Sequence, residues 1–190
     1  MSLPKILLLG DSIRMSYQAT VADLLDGRAQ VVGPGENCQF SLYTLSALDR
    51  WIDELGTPDI VHWNNGIHDA GHNPARTPLQ IPLDAYRAHI DLIAGRLLAL
   101  TPRVIWATST PVHPERPFRE DTWGWRNEEL DQYNAAALEV AQRHTLPVNH
   151  LHALVWDDID TCLAEDQLHL SPQGIDRCAR AVADAVGQYL

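Results

Sequence analysis

The chain has 190 residues, 45% of them hydrophobic and 21% charged, with a formal net charge of −11 at pH 7. This length and composition fit one globular domain, residues 1–190, with a single good core. The acidic balance disfavours nucleic acid and anionic membrane surfaces, which are met by basic patches, and no stretch nears the roughly 20 apolar residues of a membrane helix.

Residues 1–10 carry one lysine and a short apolar run ending at Gly10, which reads as a first strand over 4–9 and not as a signal peptide. A short helix is expected over 14–26, then a second strand over 29–33. Leu42, Leu45, Leu48, Ile52 and Leu55 recur at steps of three and four, one face of a helix. A third strand (59–63) precedes a second such face, Leu83, Tyr86, Ile90, Ile93, Leu97 and Leu100. After a fourth strand (103–108), the segment 116–126 is long and charged and holds Trp123 and Trp125, as a loop or lid would. Leu130, Tyr133, Ala137 and Val140 mark another helix, residues 146–149 a fifth strand, and Ile175, Ala179, Val182 and Val186 a last helix. The three cysteines, Cys38, Cys162 and Cys178, have neither disulfide nor zinc spacing and read as reduced thiols of a cytoplasmic protein.

This alternation implies an α/β fold, a five-stranded parallel sheet with helices on both faces. In such sheets ligands bind beyond the carboxyl ends of the strands. The polar segments 10–14, 33–41, 64–73, 109–127 and 151–171 fall where that rule puts them.

Two of those segments carry the parts of a serine hydrolase. Gly10-Asp11-Ser12 follows the first strand, so the Ser12 hydroxyl points into the site and its N–H opens a helix N-terminus. Ser12 can equally be a plain helix cap. Asp11 can be the reacting group instead, as in phosphoryl-accepting aspartates, but Ile13 stands where a second carboxylate belongs and no Gly-rich phosphate cradle is present. Near the other end, Asp166 and His169 stand three apart, which lets the carboxylate fold back on the imidazole and fix its tautomer. Two solvated loop residues would have the same spacing. Ser171 as cap and Pro172 at the first helical position pin that loop, as a positioned base requires.

Gly10-Asp11-Ser12 and Asp166-Gln-Leu-His169, in this order and at these ends, resemble the first and last blocks of the SGNH, or GDSL-type, esterase superfamily. The resemblance implies Ser12 as nucleophile, His169 as base and acid, Asp166 as the orienting carboxylate, a flavodoxin-like three-layer α/β/α fold, and no metal or other cofactor. It also implies an oxyanion hole made by the Ser12 N–H, a glycine after the second strand and an asparagine in a Gly-x-Asn-Asp block. Gly33 and Gly35 are the glycine candidates, with Gly35 favoured. The third block reads Asn64-Asn65-Gly66-Ile67-His68-Asp69, with His68 where the asparagine belongs. His68 can donate through a ring N–H, and Asn65 is the second choice. Losing one such donor typically costs about 10²–10³-fold in rate.

Asp11, Glu36, Asn37 and Trp123 are expected to touch substrate, a small ester, with acetyl groups on a carbohydrate as first choice. His68-Asp69-x-x-His72 is too loosely spaced for a metal site. The rival readings are a thioesterase or acyltransferase using the same triad, and a non-catalytic carbohydrate- or ligand-binding protein. A homo-oligomer is compatible with the sequence, which does not fix the oligomeric state.

Overall fold

The computed structural model describes residues 3–75, 79–119 and 121–190. Its centre is a five-stranded parallel sheet, β1 (Lys5–Leu9), β2 (Gln30–Val32), β3 (Ile60–Trp63), β4 (Val104–Ala107) and β5 (Val148–Asn149), in the spatial order β2-β1-β3-β4-β5. Strands buried on both faces read as continuous apolar runs, and the Ile6–Leu9 stretch of β1 is fully buried. β1 pairs on one side with β2 (Leu7 beside Val32) and on the other with β3 (Leu9 beside Trp63). The chain therefore changes direction across the sheet between β1 and β3, where this topology opens a crevice.

One face of the sheet is covered by α2 (Ser41–Leu55), α3 (Leu83–Leu100) and α4 (Asn127–Arg143), packed through Trp51, Ile93 and Val140. The other is covered by α1 (Ser12–Leu24), α5 (Leu151–Trp156), α6 (Ile159–Cys162) and α7 (Pro172–Gly187), packed through Tyr17, Val155 and Val182. Within the first core Trp63 and Trp106, neighbours on β3 and β4, meet edge to face at 4.7 Å between ring centroids.

The expected strands and long helices are present with ends shifted by one or two residues, and two departures bear on the site. α1 starts at Ser12 itself, because Asp11 caps it with a hydrogen bond from the Ile13 N–H (2.9 Å). Residues 151–162, expected as loop, hold α5 and α6, which span too few turns to show a periodicity. Among the described residues no helix is long and apolar enough to cross a membrane.

Candidate active site

The β1–α1 junction turns within one residue. A Cβ on Gly10 would lie 2.3 Å from Asn64 Oδ1 and 2.8 Å from Arg14 Cβ, so only glycine lets β1 pass so close to both. Asp11, 1% exposed, then caps α1 from beneath, which leaves the Ser12 side chain free. The cap is therefore Asp11 and not Ser12, and Asp11, expected to touch substrate, is buried and does not line the cavity above Ser12. At the first helical position the Ser12 N–H has no intrahelical acceptor.

Ser12 Oγ lies 3.1 Å from His169 Nε2. His169 Nδ1 lies 2.5 Å from Asp166 Oδ2 and so carries the ring proton, which makes Nε2 the acceptor of the Ser12 hydroxyl. Asp166 Oδ1 accepts from the backbone N–H of Leu168 (3.1 Å) and of His169 (2.9 Å). Partial burial pulls the Asp166 carboxyl up, but the His169 ring and these two N–H groups outweigh it and hold it below the usual range.

The tight turn is closed by Gln167, at φ 61°, and by an antiparallel bridge between Leu163 and Leu170. Arg116 Nε donates to the Asp166 carbonyl (3.1 Å) and the His113 N–H to that of Gln167 (3.0 Å). Beyond it Ser171 Oγ accepts from the Gly174 N–H (3.1 Å) and Pro172 opens α7.

Above Ser12 opens a cavity of about 270 Å³. Its walls are Ile13 beside the nucleophile, Leu168 beside the base, Ile67 and His68 from the loop after β3, Asn37 from the loop after β2, and Trp123 with Trp125 from the lid. The lining is mostly apolar, with polar atoms concentrated at Ser12, His169, His68 and Asn37. The lid is anchored: Trp125 Nε1 donates to the Ile67 carbonyl (2.5 Å), the Arg116 guanidinium lies 5.1 Å from a Trp125 ring centroid, and Trp123 meets His68 edge to face at 5.7 Å.

Of the residues expected around the nucleophile, His68, Asn37 and Trp123 line this cavity, and Gly35, Asn65 and Glu36 do not. Asn65 is fully buried, its Oδ1 accepting from Trp63 Nε1 (2.7 Å) and its Nδ2 donating to the Gln39 carbonyl (3.1 Å) and Thr44 Oγ1 (2.9 Å). Both amide hydrogens are thus committed to the scaffold. Glu36 turns away to α2, where Tyr43 (2.6 Å), Trp51 (2.8 Å) and Arg50 (2.5 Å) donate to it. These bonds, that of Tyr43 foremost, lower its pKa to about 2.

His68 is largely buried, and desolvation pulls its pKa down, the nearby Asp11 opposing and His169 reinforcing the shift. Asp69 points away from the cavity and accepts at Oδ1 from the Ser41 N–H (2.9 Å) and hydroxyl (2.5 Å). Complete burial raises its pKa to about 7 against those bonds. His72 is paired with Glu129 (2.6 Å). Among the described residues no group of three or more His, Cys, Asp or Glu side chains could hold a metal ion.

Sequence reasoning misses the walls Ile13, Ile67 and Leu168 and the role of Arg14, whereas Trp125, expected with Trp123 on the loop or lid, is a wall as well. Arg14 is 2% exposed and donates to the carbonyls of Gly10 (3.4 Å), Pro34 (3.1 Å) and Glu36 (2.7 Å) and to Gln18 Oε1 (2.7 Å). It ties the loop after β2 to the nucleophile turn. A charged residue on the inward face of α1, one helical turn from Tyr17 and Gln18, was the available signal.

The GDSL-like Lipase/Acylhydrolase family model matches residues 8–177. The chain belongs to this family. Among solved structures it resembles a lipase/acylhydrolase from Enterococcus faecalis (TM-score 0.78, 21% identity, 99% of this chain and 97% of that one). It also resembles Axe2, an acetylxylan esterase from Geobacillus stearothermophilus (TM-score 0.79, 21% identity, 98% and 95% covered). LAE5, an α/β hydrolase from the metagenome of Lake Arreo, Spain, is similar too (TM-score 0.80, 19% identity, 98% and 97% covered). These likenesses establish the shared fold. No match was found among curated proteins.

Proposed function

We propose that this chain, as one hydrolase domain, cleaves a short-chain carboxylic ester through Ser12, His169 and Asp166. The observation that carries the reading is the continuous relay from Ser12 Oγ to His169 Nε2 (3.1 Å) and from His169 Nδ1 to Asp166 Oδ2 (2.5 Å). His169 takes the hydroxyl proton as Ser12 attacks the ester carbonyl carbon, and Asp166, still ionised, stabilises the imidazolium. The oxyanion forms against the Ser12 N–H and the polar wall that holds His68. His169 then protonates the leaving alkoxide, and water hydrolyses the acyl-enzyme by the same route in reverse.

A cavity of about 270 Å³ with mostly apolar walls suits a small acyl group. Acetyl esters of a carbohydrate are the preferred substrate. The lid tryptophans offer ring faces to a sugar, and acetylxylan esterases share the fold. The test is hydrolysis of p-nitrophenyl acetate together with labelling by a fluorophosphonate. The expected result is turnover and a single adduct on Ser12, both lost in Ser12→Ala. A wild type that neither turns over nor labels defeats the esterase reading, and an active Ser12→Ala defeats the mechanism.

A further inference from the structure

The Gly-x-Asn-Asp position of the family pattern holds His68, and Asn65 is locked in the scaffold, which leaves open which side chain meets the oxyanion. Asn37 is the one side-chain amide lining the cavity among the described residues. Its orientation is fixed by hydrogen-bond logic. The Gln39 N–H donates to Asn37 Oδ1 at 2.7 Å, an Asx turn that holds Gln39 in the left-handed region at φ 52°. A flipped amide would set an NH₂ against that N–H, so Nδ2 lies on the other side, 3.4 Å from His68 Nε2. Two donors cannot face each other, so His68 Nε2 is an acceptor and the ring is the neutral tautomer with its proton on Nδ1. Burial and the neighbouring His169 both favour that neutral ring. Nδ2 has two hydrogens; His68 takes one, and among the described residues the second has no acceptor.

Resting on the esterase reading above, we propose that Asn37 Nδ2 is the side-chain donor to the oxyanion, supplied by the loop after β2 in place of the missing asparagine after β3, with His68 as the positioning residue that aims it. The loop is stiff enough for the task. Arg14 holds the carbonyls of Pro34 and Glu36 just before Asn37, and just after it the Cys38 N–H donates to the Gly10 carbonyl (3.1 Å).

Asn37→Asp and Asn37→Ser each keep an oxygen for the Gln39 N–H and remove the amide donor, so they separate catalysis from turn building. With p-nitrophenyl acetate both are expected to lose about 10²–10³-fold in kcat at a KM within about threefold of wild type, with little change in Tm. The ring ¹⁵N shifts of His68 are expected to show a neutral imidazole protonated at Nδ1. A kcat within about threefold of wild type in both variants, or a His68 protonated at Nε2, overturns the assignment. Failure of the esterase reading is distinguishable, because there the wild type itself neither turns over nor labels at Ser12.

Discussion

The two walls of the cavity are built by opposite means. The base side, residues 163–171, is held mostly by bonds between near neighbours in sequence: Asp166 caps Leu168 and His169, the Ala164 N–H donates to the His169 carbonyl (2.8 Å), and Ser171 starts α7, with Arg116 and His113 adding one long-range bond each. The facing wall is held by residues distant in sequence. Arg14 grips the loop after β2, Asn65 ties that loop to β3 and α2, and Asp69 fixes the first turn of α2 through Ser41. A local turn can be rebuilt by a few residues, whereas the facing wall depends on three separate segments arriving together. Substitutions on the two walls should therefore fail differently.

The largest effect is expected at the junction of the two. Ser12→Ala and His169→Ala should each lower kcat about 10⁴–10⁶-fold with little change in Tm, read by steady-state kinetics and thermal unfolding. Arg14→Met should instead damage stability and rate together, because it strands buried carbonyls at Gly10, Pro34 and Glu36. A loss of about 3 kcal/mol in denaturant unfolding is expected, alongside a lower kcat. Unchanged unfolding would mean the loop after β2 holds itself.

Asp69 gives the facing wall a pH dependence opposite in sign to that of Asp166, whose lowered pKa favours the fold as pH rises. The folded pKa of Asp69, about 7, stands above the ordinary carboxyl value. The folded chain therefore holds a proton that the unfolded chain releases, and stability falls as pH rises from about 4 to about 7. Asp69→Asn should remove that fall and be more stable than wild type above pH 7, seen in Tm measured across pH. Equal Tm–pH profiles would show that Asp69 titrates normally. The smallest effect is on the local wall: Ser171→Ala removes the cap of α7 and should cost about 1 kcal/mol with kcat nearly unchanged.

The same contrast explains what could be read from the sequence. Five apolar runs and four helical faces located the sheet and the long helices, because burial on two faces or on one leaves a period in the chain. Ser12, Asp166 and His169 were visible because the base and its carboxylate are three residues apart beside a cap-and-proline start. The facing wall has no such local signature. Asn65 was a plausible donor until its three bonds were known, Glu36 sits beside Asn37 yet points to Arg50, and the role of Arg14 exists only once β2 lies next to β1. From the sequence Asn37 reads as a substrate contact, but its aim depends on Gln39, a non-glycine residue at positive φ that nothing in the sequence marks. α5 and α6 escaped because one or two turns carry no period.

The lid pair Trp123 and Trp125, with ring centroids 5.7 Å apart at 31°, has a spectroscopic consequence. Indoles this close couple their electronic transitions, so the pair should give a circular-dichroism couplet of its own. Trp63 and Trp106, sealed in the core, should supply a second couplet from a pair that does not line the cavity. The protein thus carries both an optical reporter of its entrance and an internal reference. An occupant that parts the lid rings would change the first signal against a constant second.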